Sequence, residues 1–390
     1  MAEQTKSTVF GNSLIWFGAA VSIAEILTGT LFAPLGFGKA LAAIVIGHLL
    51  GCAFLYYAGL IGANYGKTAM EATKLTFGPH GGELFAGLNL LQLVGWTAVM
   101  IASGAQAAQS VFAFSCGTWL WSVIIGLLIL VWILAGIGVL QKINIVAMVL
   151  LFGLSLLLSK LVFQPSQATA PEGALSFGEA LELSIAMPIS WLPLIADYTS
   201  NAGKPKLTCM VSAVVYFIVS CWMYVIGMAA AIYAGKDADI AVIMTKAGLP
   251  VAALLIVILS TVTTTFLDVY SAGISTESIE NSCTGKFSAS IVCIIGVLLA
   301  IFSPTNSFES FLLWIGSVFV PMATVHIMDL LILKHNTEQS EMGTHTLILW
   351  AAGFIIYRIF LALNLPIGST IPDVLLTALL CWAASRRKKK

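Results

Sequence analysis

Segment 254–278, LLIVILSTVTTTFLDVYSAGISTES, carries hydroxyls and a carboxylate where a lipid-facing helix would carry none. At a period of about 3.6 residues, Val257, Thr261, Thr264 and Asp268 fall on one face, flanked by Ser260, Thr265 and Ser271. The other face is apolar: Ile258, Leu259, Val262, Phe266 and Val269. A serine or threonine can return its hydrogen to a helix carbonyl, but an aspartate cannot be satisfied that way. A carboxylate inside a membrane helix usually lines a cavity or an ion path. Glu25, beside the small residues of Ala19-Ala20-Val21-Ser22-Ile23-Ala24, poses the same problem in another apolar run. Trp96, with Gln92 and Met100 on one helical face and Gly95 beside it, leaves room for a flat ligand against the indole. Trp191 invites the same comparison.

These residues need elements to carry them. The chain has 390 residues, 59% hydrophobic and 9% charged, which requires an integral membrane protein. Uninterrupted apolar stretches mean an all-α protein, not a β-barrel with alternating strands. Twelve spans are expected, at about 10–35, 38–62, 82–112, 119–140, 144–163, 178–200, 207–235, 250–279, 286–303, 307–335, 345–364 and 368–385. The first is too long for a signal peptide and lacks a cleavage signature, so it remains as a span.

Positive charge sets the orientation. Lys6, Lys67, Lys74, Lys142, Lys204, Lys206, Lys286, Lys334 and the tail from Arg386 to Lys390 fall on the side of both termini. Lys39, Lys160, Lys236 and Lys246 fall on the other. Both ends are therefore expected in the cytoplasm, with the chain in the inner membrane. A formal charge of zero argues against a nucleic-acid partner, and no obligate protein partner is implied. The seven cysteines are scattered without a C-x-x-C pair and read as small core residues. The Gly-rich 63–81 loop carries Gly66-Lys67-Thr68 but not the full G-x-x-x-x-G-K-[ST] phosphate loop, since Ile61 stands at its first glycine. H-E-x-x-H and G-x-S-x-G are absent, so ATP hydrolysis and membrane enzymology are not supported. No cofactor is expected. A passive channel stays open, since a polar stripe can line a pore.

Spans one and six are interrupted, the first at 19–25 and the sixth at Ala186-Met187-Pro188-Ile189, with Pro193 following. Pro188 removes a backbone donor and crowds the carbonyl one turn back. Interrupted helices five spans apart are the pattern of inverted repeats enclosing a midplane site. Repeat one would cover about 10–163, repeat two about 178–335, with two further helices at about 345–385. Gly47-x-x-x-Gly51 permits close helix packing. His48 in that motif, and His326 with Asp329, read as structural residues in preference to proton relays.

Trp16-Phe17-Gly18 with the broken first span, Gly95-Trp96, Asp197-Tyr198 and Ser260-Thr261 through Tyr270-Ser271-Ala272-Gly273 resemble the nucleobase:cation symporter family one. The run Met187-Pro188-Ile189-Ser190-Trp191-Leu192-Pro193 resembles its hydroxymethylpyrimidine permease branch. The resemblance implies a single transporter domain with the LeuT-like five-plus-five inverted repeat, and uptake coupled to sodium or protons. It implies a sodium site of backbone oxygens from Ala20, Ile23 and Val257 with the hydroxyls of Ser260 and Thr261. Trp96 matches the family's ring-stacking tryptophan. Met100 stands where the hydantoin transporter has glutamine, and Phe266 near its asparagine. The expected substrate is a planar nitrogen heterocycle, an aminopyrimidine such as the thiamine precursor hydroxymethylpyrimidine, with a cytosine or purine permease as the alternative. Glu25, Trp96, Met100, Met187, Pro188, Trp191, Phe266 and Asp268 are the expected substrate-binding residues.

Overall fold

The computed structural model describes residues 6–135, 137–163, 175–234, 240–246, 248–280, 282–303, 308–334 and 343–387. Lys236 and residues 388–390, used above for orientation, lie outside them, as do the side chains of Lys142 and Lys246. Among the described residues every element of regular structure is helical. One isolated bridge, Ser7 to Ala202, ties the start of the chain to a later turn.

The first span is two helices, α1 (Val9–Ala20) and α2 (Ile23–Thr30). Between them Val21 leaves helical geometry and Ser22 is extended, its Oγ accepting the Glu25 amide at 3.3 Å to cap α2. The two axes meet at 46°. After them come α3 (Phe37–Tyr65) and α4 (Ala69–Val111). Residues 63–81 are not the loop expected above. Helix α4 starts at Ala69 and is interrupted only at Gly78, where φ is 72° and Pro79 follows. That left-handed backbone suits a residue without Cβ, and the proline cannot donate back across the bend.

Helices α5 (Thr118–Ala135) and α6 (Ile137–Val162) complete the first half. The sixth span comprises α7 (Phe177–Ser190) and α8 (Leu192–Thr199), joined at Trp191. The interruption thus falls three residues beyond Pro188, which stays inside α7. It is also milder than that of the first span, since 177–199 still reads as one span. Then follow α9 (Pro205–Ala234), a short unexpected α10 (Ile240–Lys246), and α11 (Pro250–Ile279), which carries the polar stripe. Helices α12 (Gly285–Phe302), α13 (Phe308–Ile327, ending in a π turn), α14 (Thr344–Leu363) and α15 (Thr370–Arg387) end the described chain.

Among the described residues ten helices are long and apolar enough to cross a membrane, and the bent α1/α2 pair makes eleven. The stretch expected as the twelfth span is helical, as α15, but with Asp373, Arg386 and Arg387 in it α15 falls outside that count.

The helices pack as two groups. Helices α1 and α2 lie against α9, and α3 lies against α7, α8 and α9. In the second group α4 packs on α11, α12 and α5. Close approach within the first group depends on missing side chains. A Cβ on Gly47 would meet Ser184, and one on Gly51 would lie 2.8 Å from the Ile185 carbonyl and against the Pro188 ring. Gly29 of α2 faces the Tyr224 backbone of α9, and Gly227 of α9 faces the Ile26 carbonyl. Gly51→Leu should therefore push α3 off α7 and cost about 1–3 kcal/mol or more. Thermal unfolding in detergent checks this, and an unchanged midpoint would mean that the contact is not tight.

Candidate functional site

The break between α1 and α2 faces the junction of α7 and α8, and α4 and α11 close the sides. A small cavity lies at this meeting point. Helix α2 and its cap contribute Ser22, Ala24 and Glu25, and α4 contributes Trp96 and Met100. Met187 and Ser190 of α7, Trp191, and Thr264 and Asp268 of α11 complete the lining. Glu25 is 1% exposed, Asp268 3%, Trp96 5% and Trp191 6%, so the lining is largely buried.

The two acids differ sharply in their surroundings. Glu25 accepts Tyr216 Oη at 2.5 Å on Oε1 and Ser220 Oγ at 2.7 Å on Oε2. Asp268 receives no hydrogen bond from the described residues, and its carboxylate borders the cavity. Burying such a group is costly unless something supplies donors or a cation.

The α7/α8 junction frees backbone groups, and α4 supplies their partners. Gln92 Nε2 donates to the Ser190 carbonyl at 3.1 Å, and Asn89 Nδ2 donates to Pro193 O at 3.4 Å and to Ser275 Oγ at 2.9 Å. Gln92 thus serves the broken helix, while Trp96, one turn on, reaches the cavity and meets Phe311 edge-on at 5.5 Å. Trp16 packs edge-on against Trp191, Tyr198 and Tyr216, holding α1 to the cavity wall.

The sequence-predicted substrate residues Glu25, Trp96, Met100, Met187, Trp191 and Asp268 come together in this lining. Pro188 and Phe266 do not. Pro188 is turned toward Gly51 of α3. Phe266 stacks on Tyr270 at 5.8 Å, on the far side of α11, because two residues of helix rotate a side chain by about 200°. Tyr216 and Ser220 were not anticipated. Their signal was a four-residue spacing of polar side chains, Tyr216, Ser220 and Tyr224, inside an apolar span.

The residues expected to hold sodium lie beside the break. Ala20 ends α1 and Ile23 begins α2, while Ile23, Val257 and Ser260 line a second cavity that shares Ser22 with the first. The Ser22 amide turns to the Ala20 carbonyl at 3.0 Å, and Gly18 O instead receives Thr264 Oγ1 at 3.4 Å. Thr261 Oγ1, pressed toward Gly104, is buried without a hydrogen-bond partner. Among the described residues no cluster of His, Cys, Asp and Glu could hold a metal, so any ion here meets hydroxyl and carbonyl oxygens. Those are ligands for a hard cation.

Residues 1–346 match the model of a family described as permeases for cytosine/purines, uracil, thiamine and allantoin. The chain belongs to this family, the nucleobase:cation symporters of family one. The permease is 26% identical over 379 residues to the cytosine permease of Escherichia coli strain K12, covering 95% of this chain and 88% of that one. Its fold is similar to that of Mhp1, a nucleobase-cation-symport-1 family transporter, in a closed conformation with bromovinylhydantoin bound. There the TM-score is 0.81 at 17% identity, over 97% of this chain and 92% of that one. A Na+-coupled sialic acid symporter in a substrate-bound outward-open state has a TM-score of 0.67 at 15% identity, over 97% and 88% of the two chains. The permease is thus a multi-pass membrane transporter with the five-plus-five inverted-repeat fold, and not an enzyme.

Proposed function

We propose that the permease imports an amino-substituted planar nitrogen heterocycle, hydroxymethylpyrimidine being the leading substrate, together with sodium. The observation that carries this reading is the unpartnered Asp268 facing a buried, tryptophan-lined cavity. An aminopyrimidine stacks its ring on Trp96 and Trp191 and turns its N–H groups to the acids. Met100 and Met187 give the ring an adaptable apolar wall. Sodium binds oxygens of Ala20, Ile23, Val257, Ser260 and Thr261, and the buried Thr261 hydroxyl is the group in that set that lacks a partner. Ion and substrate cooperate if the ion favours the state in which the substrate cavity is formed. The protein lies in the inner membrane with both termini in the cytoplasm, its repeats covering about 10–163 and 178–335. A second reading, cytosine import, is favoured by the E. coli relative, which matches along 95% of this chain.

The test is uptake of labelled hydroxymethylpyrimidine, with cytosine and purine competitors, into cells lacking other routes, with and without sodium. Uptake equal to that of empty vector ends the substrate claim, and stronger competition by cytosine moves the assignment to the second reading. Ser260→Ala with Thr261→Ala should raise the sodium concentration for half-maximal uptake roughly tenfold or more. An unchanged sodium dependence would move the ion elsewhere.

A further inference from the structure

Behind Glu25, away from the cavity, a chain of buried polar groups runs through three helices. Ser220 of α9, which bonds Glu25 Oε2 at 2.7 Å, lies 2.6 Å from His48 Nε2 of α3. His48 Nδ1 in turn lies 2.7 Å from Ser184 Oγ of α7 and 3.1 Å from the Ile44 carbonyl. His48, Ser184 and Ser220 are all 0% exposed. The function described above uses none of the three.

The positions of the hydrogens follow from counting donors. The Ile44 carbonyl can only accept, so its 3.1 Å contact with His48 Nδ1 assigns a hydrogen to that nitrogen, and Ser184 then turns its own hydrogen to the same carbonyl at 2.8 Å. Nδ1 therefore carries a hydrogen, and Nε2 is the nitrogen that answers to Ser220. A hydroxyl has one hydrogen to give. If Nε2 is bare, Ser220 donates to it and takes the hydrogen of a neutral Glu25. If Nε2 is protonated, it donates to Ser220, which donates to a Glu25 carboxylate. In both arrangements any hydrogen on Glu25 points back at Ser220, and Tyr216 occupies the other oxygen. Toward the cavity Glu25 offers only lone pairs.

We infer that His48 and Ser220 are positioning residues that hold Glu25 as a pure hydrogen-bond acceptor, so that the site selects heterocycles with an amino group over their carbonyl isosteres. This rests on the heterocycle reading above and sharpens its substrate class. A carbonyl oxygen in place of the amino group would set lone pairs against lone pairs at a buried site, a mismatch that costs affinity. Asp268 borders the same cavity without a hydrogen bond from the described residues, and the selectivity rests on Glu25 alone.

The experiment measures binding to the purified full-length protein, in sodium, of two amino/oxo pairs. These are cytosine against uracil, and 4-amino-5-hydroxymethyl-2-methylpyrimidine against its 4-oxo counterpart. The wild type should bind the amino member of at least one pair roughly tenfold tighter or more. Glu25→Gln, whose amide can present either a donor or an acceptor, should collapse that ratio to within about threefold. Ser220→Ala and His48→Leu should do the same through Glu25, while Ser220→Thr, which keeps the hydroxyl, should restore the ratio. A merely structural role would lower the affinity of both members together and leave the ratio intact. Equal binding of amino and oxo ligands by the wild type, or a wild-type ratio in Glu25→Gln and Ser220→Ala, overturns the inference alone. Binding of none of the four ligands removes the heterocycle reading along with it.

Discussion

Asp268→Asn should abolish uptake, lowering heterocycle affinity about a hundredfold or more, while the ligand-free protein becomes no less resistant to heat. Most substitutions of buried charged residues destabilise because they orphan a partner. Here there is none to orphan: no described residue donates to the Asp268 carboxylate, which is 3% exposed at the cavity edge. Replacing it with an isosteric amide removes a charge whose desolvation nothing in the protein offsets. The signature is a pair of readings, a lost binding isotherm and an equal or higher melting temperature for the apo protein. A melting temperature several degrees lower with binding intact would make Asp268 a structural residue and take the carboxylate out of the substrate site.

Glu182→Ala is expected to do the opposite. Glu182 lies in α7, 2% exposed, and accepts hydrogen bonds from the C-terminal helices. Tyr357 Oη donates to it, as do Ser369 N at 2.7 Å, Thr370 N at 3.0 Å and Thr370 Oγ1 at 2.5 Å. The amides are those at the start of α15, where a carboxylate also meets the positive end of the helix. Truncation leaves several buried donors unanswered at once, for a loss of about 3–5 kcal/mol. Thermal unfolding of the purified variant measures it, with Glu182→Gln expected to fall between. A midpoint equal to wild type would show that α14 and α15 are held by apolar packing alone.

How much of this could be read in the sequence depended on whether the signal was local. Helix α11 spans 250–279 as its hydroxyl-rich pattern predicts, because periodicity and the flanking Pro250 are both written in one stretch. The first-span break at 21–22 was equally legible, since small residues and a capping serine precede an acid that a plain membrane helix would reject. The helix period puts Phe266 on the face away from Asp268, and only the family resemblance makes it a substrate residue; it stacks on Tyr270 instead. Pro188 suggested a break at itself, yet α7 runs on to Ser190 because Gly51 gives the ring room against α3. Helix α10 and the helical stretch before Gly78 were missed, one being too short for a periodic signal and the other hidden among glycines. The polar chain from Glu25 to Ser184 joins residues up to 195 positions apart, and no pattern along a single helix announces a partnership of that range.

The glycine contacts between α2 and α9 bear on how the cavity opens. Gly29 against the Tyr224 backbone and Gly227 against the Ile26 carbonyl leave no side-chain cushion between the two helices. Main chain rests on main chain there, and Glu25 is fastened to Tyr216 and Ser220 a little further along the same seam. A flap made of α2 alone would have to peel along that whole seam before any passage widened. Any widening of the cavity on this flank is therefore expected to move α2 and α9 as one slab, with Glu25, Tyr216 and Ser220 travelling together.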